Sequence, residues 1–181
     1  MTVIDFNAGC GDYHPPGWVN ADVSDACRPD FISDLTDLPF GDGTVGRIFA
    51  AHVLEHIEYH HRLPVVLAEF RRVLADDGKF CVVGPDIERA VLLDEPRWKL
   101  RAVVAWPKEF QVNGTEEPPR GHAWTSTALF TERALEAAGF SCVSYTRRLK
   151  AIADEGWPLL NLDFYQLAYV CHKETYAPDL A

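Results

Sequence analysis

Val3-Ile4-Asp5-Phe6-Asn7-Ala8-Gly9-Cys10-Gly11 is the stretch on which the reading of this chain turns: a short, largely apolar run that ends in two glycines flanking one residue. Such a run predicts a strand, and the glycines predict a tight turn at its carboxyl end. Glycines there let the backbone approach a ligand closely and expose amide N–H groups to it. Gly-x-Gly alone is common in turns, and His14 occupies the place of the third glycine of the dinucleotide fingerprint. The turn is therefore weak evidence for an NAD site.

Outward from this turn, residues 18–23, 30–34 and 45–51 read as the second to fourth strands. The period then becomes helical, with Leu54, Ile57, Val65, Leu67, Phe70, Val73 and Leu74 recurring at helical spacing. Pro64 is expected to separate two helices, and Asp77-Gly78 to end the second. Residues 79–84 give a fifth strand. Residues 87–106 read as helix with a break at Glu95-Pro96, 107–123 as loop, and about 126–138 as an amphipathic helix stopped by Gly139. The last strands, 141–147 and 164–171, are joined by a loop containing Trp157-Pro158. Strands interleaved with helices predict an α/β fold in one domain over residues 1–181, with a doubly wound, mostly parallel seven-stranded sheet. Ligands of such sheets bind outside the carboxyl ends of the strands.

Composition agrees with a globular domain. The 181 residues are 48% hydrophobic and 24% charged, which excludes wholesale disorder. No run nears the roughly 18 apolar residues of a membrane span, and the start of the chain lacks the pattern of a secretory signal. Seventeen Lys and Arg against 27 Asp and Glu give a net charge of −10. Ten of those acids, against only Arg28 and Arg47, put −8 in residues 1–60. An acidic half repels a phosphate backbone, so neither nucleic acid nor membrane is expected as a partner. The five cysteines form no CxxC pair, and three lie in apolar runs as small buried hydrophobes, which suggests a reducing, cytoplasmic compartment.

Asp22, at the end of the second strand, has two acceptor oxygens that match the adjacent hydroxyls of a ribose; an N-cap or turn aspartate is the plain alternative. Asp34-Leu35, followed by Leu38-Pro39-Phe40, could set a carboxylate and backbone groups against an adenine edge, or simply plug the core with Leu38 and Phe40.

Taken in order, Phe6-Asn7-Ala8-Gly9-Cys10-Gly11, Pro16-Gly17-Trp18-Val19-Asn20-Ala21-Asp22, Asp34-Leu35-Thr36-Asp37-Leu38-Pro39-Phe40 and His52-Val53-Leu54-Glu55-His56 resemble the class I S-adenosylmethionine-dependent methyltransferases. The closest likeness is to the compact bacterial branch with an LNLGCG-type first motif and a HVLEH segment. Phe70-Arg71-Arg72-Val73-Leu74 before Asp77-Gly78-Lys79 is similar to that branch's RRVLKPGG helix. Val83-Gly84-Pro85-Asp86 and Leu135-Glu136-Ala137-Ala138-Gly139-Phe140 resemble its VPD strand end and its late LLxxAGF helix.

The resemblance implies a Rossmann-like methyltransferase with S-adenosylmethionine as cofactor. It implies that Asn7, Ala8, Gly9 and Gly11 cradle the methionine part, Asp22 holds the ribose, Asp34 and Leu35 hold the adenine, and His52 lies beside the sulfonium. His52, Asp86 and His122 are candidates to orient or deprotonate an acceptor, either a small molecule or a surface-presented group, methylated on O or N. Residues 87–124 would form an acceptor-side insertion or lid, with Trp98, Trp106, Phe110 and Trp124 as an aromatic wall or as ordinary core.

Other readings compete. His52-x-x-Glu55-His56 matches the H-x-x-E-H pattern of zinc peptidases, in which two histidines one helical turn apart ligate the metal and the glutamate acts as base. A silent cofactor-binding or interaction module fits the short chain. DNA methylation lacks support: no (Asn/Asp/Ser)-Pro-Pro-aromatic motif follows the fourth strand, and no cysteine follows a proline.

Spacing adds one expectation. Only about nine residues separate the first two strands and about seven the next pair, whereas a parallel crossover usually takes about a dozen or more. Helices should therefore be thin on the N-terminal half, leaving apolar sheet to be covered by a second subunit, as a homodimer, or by the C-terminal segment.

Overall fold

The computed structural model describes residues 3–86, 127–146, 149–158 and 166–174. Its strands are β1 (Ile4–Ala8), β2 (Val19–Asp22), β3 (Phe31–Ile32), β4 (Val45–Ala51), β5 (Leu74–Pro85), β6 (Phe140–Thr146) and β7 (Gln166–Lys173). They form one seven-stranded sheet in the order β3-β2-β1-β4-β5-β7-β6. The first five strands are parallel, and β7 runs antiparallel between β5 and β6. This is the expected mostly parallel sheet, with its order reversing between β1 and β4.

Helix α1 (Arg62–Val73) buries Leu63, Val66, Leu67, Phe70 and Val73, the stripe that helical spacing puts on one face. Pro64 does not separate two helices. It sits in the first turn of α1, where its missing N–H would have had no partner within the helix. Ahead of it only a short 3₁₀ turn forms, Leu54–His56. Glu58 accepts from the backbone N–H of His60, His61 and Arg62 at the start of α1. The first two of those bonds hold its carboxyl below the usual range. Nor does α1 reach Asp77-Gly78: Leu74 turns extended and pairs with Val45, because joining the sheet satisfies its backbone better than a further helical turn would.

Helix α2 (Ala128–Ala137) starts at Thr127, whose hydroxyl accepts from Phe130 N, and is followed by Gly139 at φ +78°. Helix α3 (Leu149–Asp154) occupies what reads as loop. Strands β2 and β3 are shorter than the sequence predicts. The proposed insertion at 87–124, with His122 and the four aromatics, lies outside the described residues.

Helices α1 and α2 cover one face of the sheet, over a core that includes Phe6, Ile48, Phe70, Phe80, Leu135 and Phe140. On the N-terminal half of that face the loop after β3 does a helix's job: Leu35 and Leu38 are buried, and Phe40 packs against Phe6 and Phe31 with ring centroids 5.1 and 5.7 Å apart.

The other face corrects the expectation of naked apolar sheet. Strands β1 and β2 alternate, Ile4-Asp5-Phe6-Asn7-Ala8 and Val19-Asn20-Ala21-Asp22, so this face is polar. Asn7 Nδ2 donates to Asn20 Oδ1 (2.9 Å) and to Tyr13 O (2.8 Å). Asn20 Nδ2 donates to Asp30 Oδ2 (3.1 Å) and Trp18 O (2.9 Å). Beside this ladder Arg47 pairs with Asp5, lies 4.8 Å from the Trp18 ring and 5.8 Å from the Trp157 ring, and donates to Gly156 O. Trp157 and Ile152 cap Phe49, Cys81, Val83, Ala168 and Val170. The C-terminal segment therefore covers β4, β5 and β7 on this face, while β1 and β2 present polar side chains there.

The cysteines also differ from expectation. Cys142 and Cys171, directly paired across β6 and β7 with Cα atoms 4.0 Å apart, are joined in a disulfide, so the case for a reducing compartment from unpaired cysteines is lost. Cys81 is free and buried, and that burial raises its thiol pKa.

Candidate functional site

Register brings the carboxyl ends of five strands to one edge of the sheet. Ala8 lies beside Ala21 and Ala50, Asp22 beside Ile32, and Ala51 beside Val83. The glycine turn, Asp22, the Asp34 loop, His52 and Asp86 consequently all leave the sheet on this side.

The turn is held from beneath. Cys10 N donates to Ala21 O (2.9 Å), tying the loop to β2. Gly9, at φ +63°, lies so close over Val53 that an added Cβ would sit 2.5 Å from Cγ2, whereas one on Gly11, at φ +51°, would meet nothing within 4 Å. The turn is thus packed on its inner side and open on its outer side, the shape of a cradle. Cys10 between them is no nucleophile: burial, then the nearby Asp22, pushes its thiol up to about 11.

Asp22 organises the turn. Its Oδ2 accepts from Gly11 N and its Oδ1 from Ser24 N, each at 2.9 Å. A carboxylate oxygen has two lone pairs, so each oxygen keeps capacity for a ligand hydroxyl. Asn7 contributes shape, because its amino group is engaged in the ladder on the sheet face.

The Asp34 loop is tightly built. Asp34 Oδ1 accepts from Thr36 N and Oγ1, and Oδ2 pairs with Arg62 at 2.8 Å. The Thr36 bonds first, then Arg62, hold this carboxyl below its ordinary value. Leu35, at φ +69°, buries its side chain in the core while its N–H donates to Ser33 Oγ. The core-plugging role weighed for this segment is present whatever else the loop does.

His52 follows β4 at φ +56°, with its N–H on Val83 O at 2.8 Å. Its Nδ1 lies 3.1 Å from Oε1 of Glu55, a carboxylate only 2% exposed. Asp86, after β5, is buried. The zinc reading requires His52 and His56 one turn apart on an α-helix. Instead, His52 is in the left-handed region and the following turn is 3₁₀ and three residues long. Among the described residues no cluster of three or more His, Cys, Asp or Glu is arranged to hold a metal. A groove of about 520 Å³ between α1 and α2 is lined by Pro64, four alanines and two arginines and holds none of these groups.

Four residues have roles here that the sequence does not assign them. Val53 sets the height of the glycine turn, Asn20 and Asp30 complete the ladder, and Glu55 partners His52. Only the ladder had a visible signal, the two-residue alternation of β1 and β2.

Comparison with known proteins meets this geometry. Residues 18–82 match the family model of the methyltransferase domain. A search of curated protein sequences finds no significant match. Among solved structures, a protein of Pyrococcus horikoshii superposes with a TM-score of 0.61 at 18% identity, covering 93% of this chain and 81% of that one. An S-adenosylmethionine-dependent methyltransferase of Mesorhizobium loti gives 0.56 at 15%, covering 94% and 91%. The geranyl diphosphate C-methyltransferase of Streptomyces coelicolor, solved with Mg²⁺, geranyl diphosphate and S-adenosylhomocysteine, gives 0.56 at 14%, covering 95% and 73%. The chain has the class I methyltransferase fold, with a methyltransferase-domain match across β2 to β5. Fold and family match together support an S-adenosylmethionine-dependent methyltransferase. No helix among the described residues is long and apolar enough to cross a membrane.

Proposed function

We propose that the protein transfers a methyl group from S-adenosylmethionine to an oxygen or nitrogen of a small-molecule or surface-presented acceptor. The observation that carries the reading is Asp22: a carboxylate at the carboxyl end of β2 that braces a glycine turn closed beneath and open above. The residues fit the cofactor. The backbone of Ala8, Gly9 and Gly11 would follow its methionine part, with Asn7 fixing the loop from below. Asp22 would take the ribose hydroxyls on its remaining lone pairs. The segment at Asp34 and Leu35 would border the adenine, with Leu35 contributing backbone while its side chain stays in the core.

When bound, the sulfonium supplies an already activated methyl group, so the protein's part is alignment and proton handling. The −8 balance of residues 1–60 favours a cationic ligand at this edge. His52 and Asp86, which follow adjacent parallel strands, are the candidates to orient or deprotonate the acceptor, and His122 is a third through the family likeness alone.

Calorimetric titration with S-adenosylmethionine tests the reading. Micromolar binding is expected, and Asp22→Ala should weaken it at least tenfold, equivalent to about 1.4 kcal/mol, in a protein whose circular dichroism is unchanged. Absence of binding by the folded wild-type chain would contradict the assignment.

A further inference from the structure

Outside the cofactor cradle, one pair of side chains has no structural explanation. Glu55 is 2% exposed, and its Oε1 accepts from Nδ1 of His52 at 3.1 Å. On the far side of the ring, His52 Nε2 is buried and has no hydrogen-bond partner among the described residues, although the ring as a whole is about one-third open at 32%. A buried polar atom left without a partner costs about 1–3 kcal/mol. The backbone compounds that cost, because His52 is held at φ +56°, which non-glycine residues seldom adopt. Neither feature helps the fold, and both fall on the residue that ends β4 at the candidate site.

Resting on the methyltransferase reading, we propose that Glu55 is a positioning residue that makes His52 Nε2 the general base for a hydroxyl acceptor. An ionised carboxylate only accepts, so its bond to Nδ1 puts the proton of the neutral imidazole on that nitrogen. The lone pair is then on Nε2, the nitrogen kept without a protein partner. The 3₁₀ turn Leu54–His56 places the carboxylate three residues after the ring it steers, and Leu54 and Glu55 are both buried, so the pair is anchored in the protein interior.

In the transfer, the acceptor oxygen forms its bond to the methyl carbon as the carbon–sulfur bond breaks and its electron pair stays on sulfur. The acceptor's proton passes to Nε2, leaving the methyl ether, S-adenosylhomocysteine and an imidazolium facing Glu55. The positive charge lost by the sulfonium thus reappears on His52, beside a buried carboxylate that stabilises it. An acceptor amine with a free lone pair has no need of this device, which is why the pair points to a hydroxyl.

The test is a long-range ¹⁵N–¹H correlation spectrum of histidine-labelled protein saturated with S-adenosylhomocysteine, with His52 assigned through His52→Asn. The proton of neutral His52 is expected on Nδ1, the less common tautomer in solution. Glu55→Gln, whose amide oxygen still accepts, should keep it, and Glu55→Leu should lose it. A proton on Nε2 in the wild type, or an unchanged tautomer in Glu55→Leu, would each overturn the proposal. Should Glu55→Leu fail to fold, the wild-type tautomer and the Glu55→Gln spectrum still decide it. Failure of S-adenosylhomocysteine to bind the wild type, with the proton still on Nδ1, would instead sink the methyltransferase reading on which the base role depends.

Discussion

The two halves of the sheet solve the same problem with different materials. From β4 to β6 the strands are seven to twelve residues long, apolar toward both faces in the interior strands, and covered by α1, α2 and α3. From β1 to β3 they are two to five residues long and joined by turns. There the cover is a loop that plugs one face with Leu35, Leu38 and Phe40, and a hydrogen-bonded ladder on the other. The thick half can gain stability from burial alone. The thin half cannot, because its strand ends must present backbone N–H groups and carboxylates to a ligand, and helices packed over both faces would add nothing to that edge. Polar pairing lets short strands keep their register without a large apolar face, and register sets where Gly9, Asp22 and His52 emerge.

If that division is right, the largest single loss should come from the thick half. Phe80 is fully buried against Phe70 and Phe140, with centroids 5.3 Å from each. Phe80→Ala should lower stability by about 3–5 kcal/mol in urea unfolding. Next comes the ladder: Asn7→Leu removes the donor to Asn20 and Tyr13 inside a buried network and should cost about 1–3 kcal/mol. A neutral result there would mean that the polar face is merely solvated and the comparison fails.

A smaller effect is expected at the join between the halves. Arg47→Met keeps much of the stem's packing between Trp18 and Trp157 but loses the Asp5 pair, a partly exposed interaction. About 1 kcal/mol should be lost, with a change in tryptophan fluorescence.

The smallest is pH-dependent. Glu69 ties the loop plug to α1, accepting from Leu38 N at 2.7 Å and pairing with Arg72. The Arg72 hydrogen bond chiefly holds its carboxyl below the ordinary value. Its contribution is therefore complete above the unfolded-state pKa and is lost as pH falls through the lower folded-state one. Glu69→Gln should cost at most about 1 kcal/mol at neutral pH, Arg72 being partly exposed. The difference from wild type should close in acid, as thermal unfolding across that range would show.

The same contrast explains what could be read from the residues. The parallel sheet was legible because β4, β5 and α1 carry long, consistent periods, and the glycine turn because only glycine tolerates its backbone freely. Pro64 misled because a proline breaks a helix interior yet is harmless in a first turn, and local sequence does not say which applies. The apolar period carries the helix through Leu74; a sheet partner 29 residues earlier, Val45, decides otherwise. Asp22 and His52 could be named from their positions after strands. Glu55 could be named only for a different chemistry, because its true partner depends on the left-handed backbone of His52 and on a 3₁₀ turn that no period announces. The C-terminal segment could be offered as cover from the sequence but Trp157 could not be singled out in it, since Arg47 reaches its neighbour Gly156 across 109 positions of sequence.

Amide hydrogen exchange with and without S-adenosylhomocysteine tests most directly the claim that the thin half is the cofactor half. Added protection is expected in the segments 8–12, 21–25, 33–37 and 52–55, with α1, α2, β6 and β7 unchanged. Protection centred on the groove between α1 and α2, or on β6 and β7, would contradict it, as would exchange left unaltered throughout by the ligand.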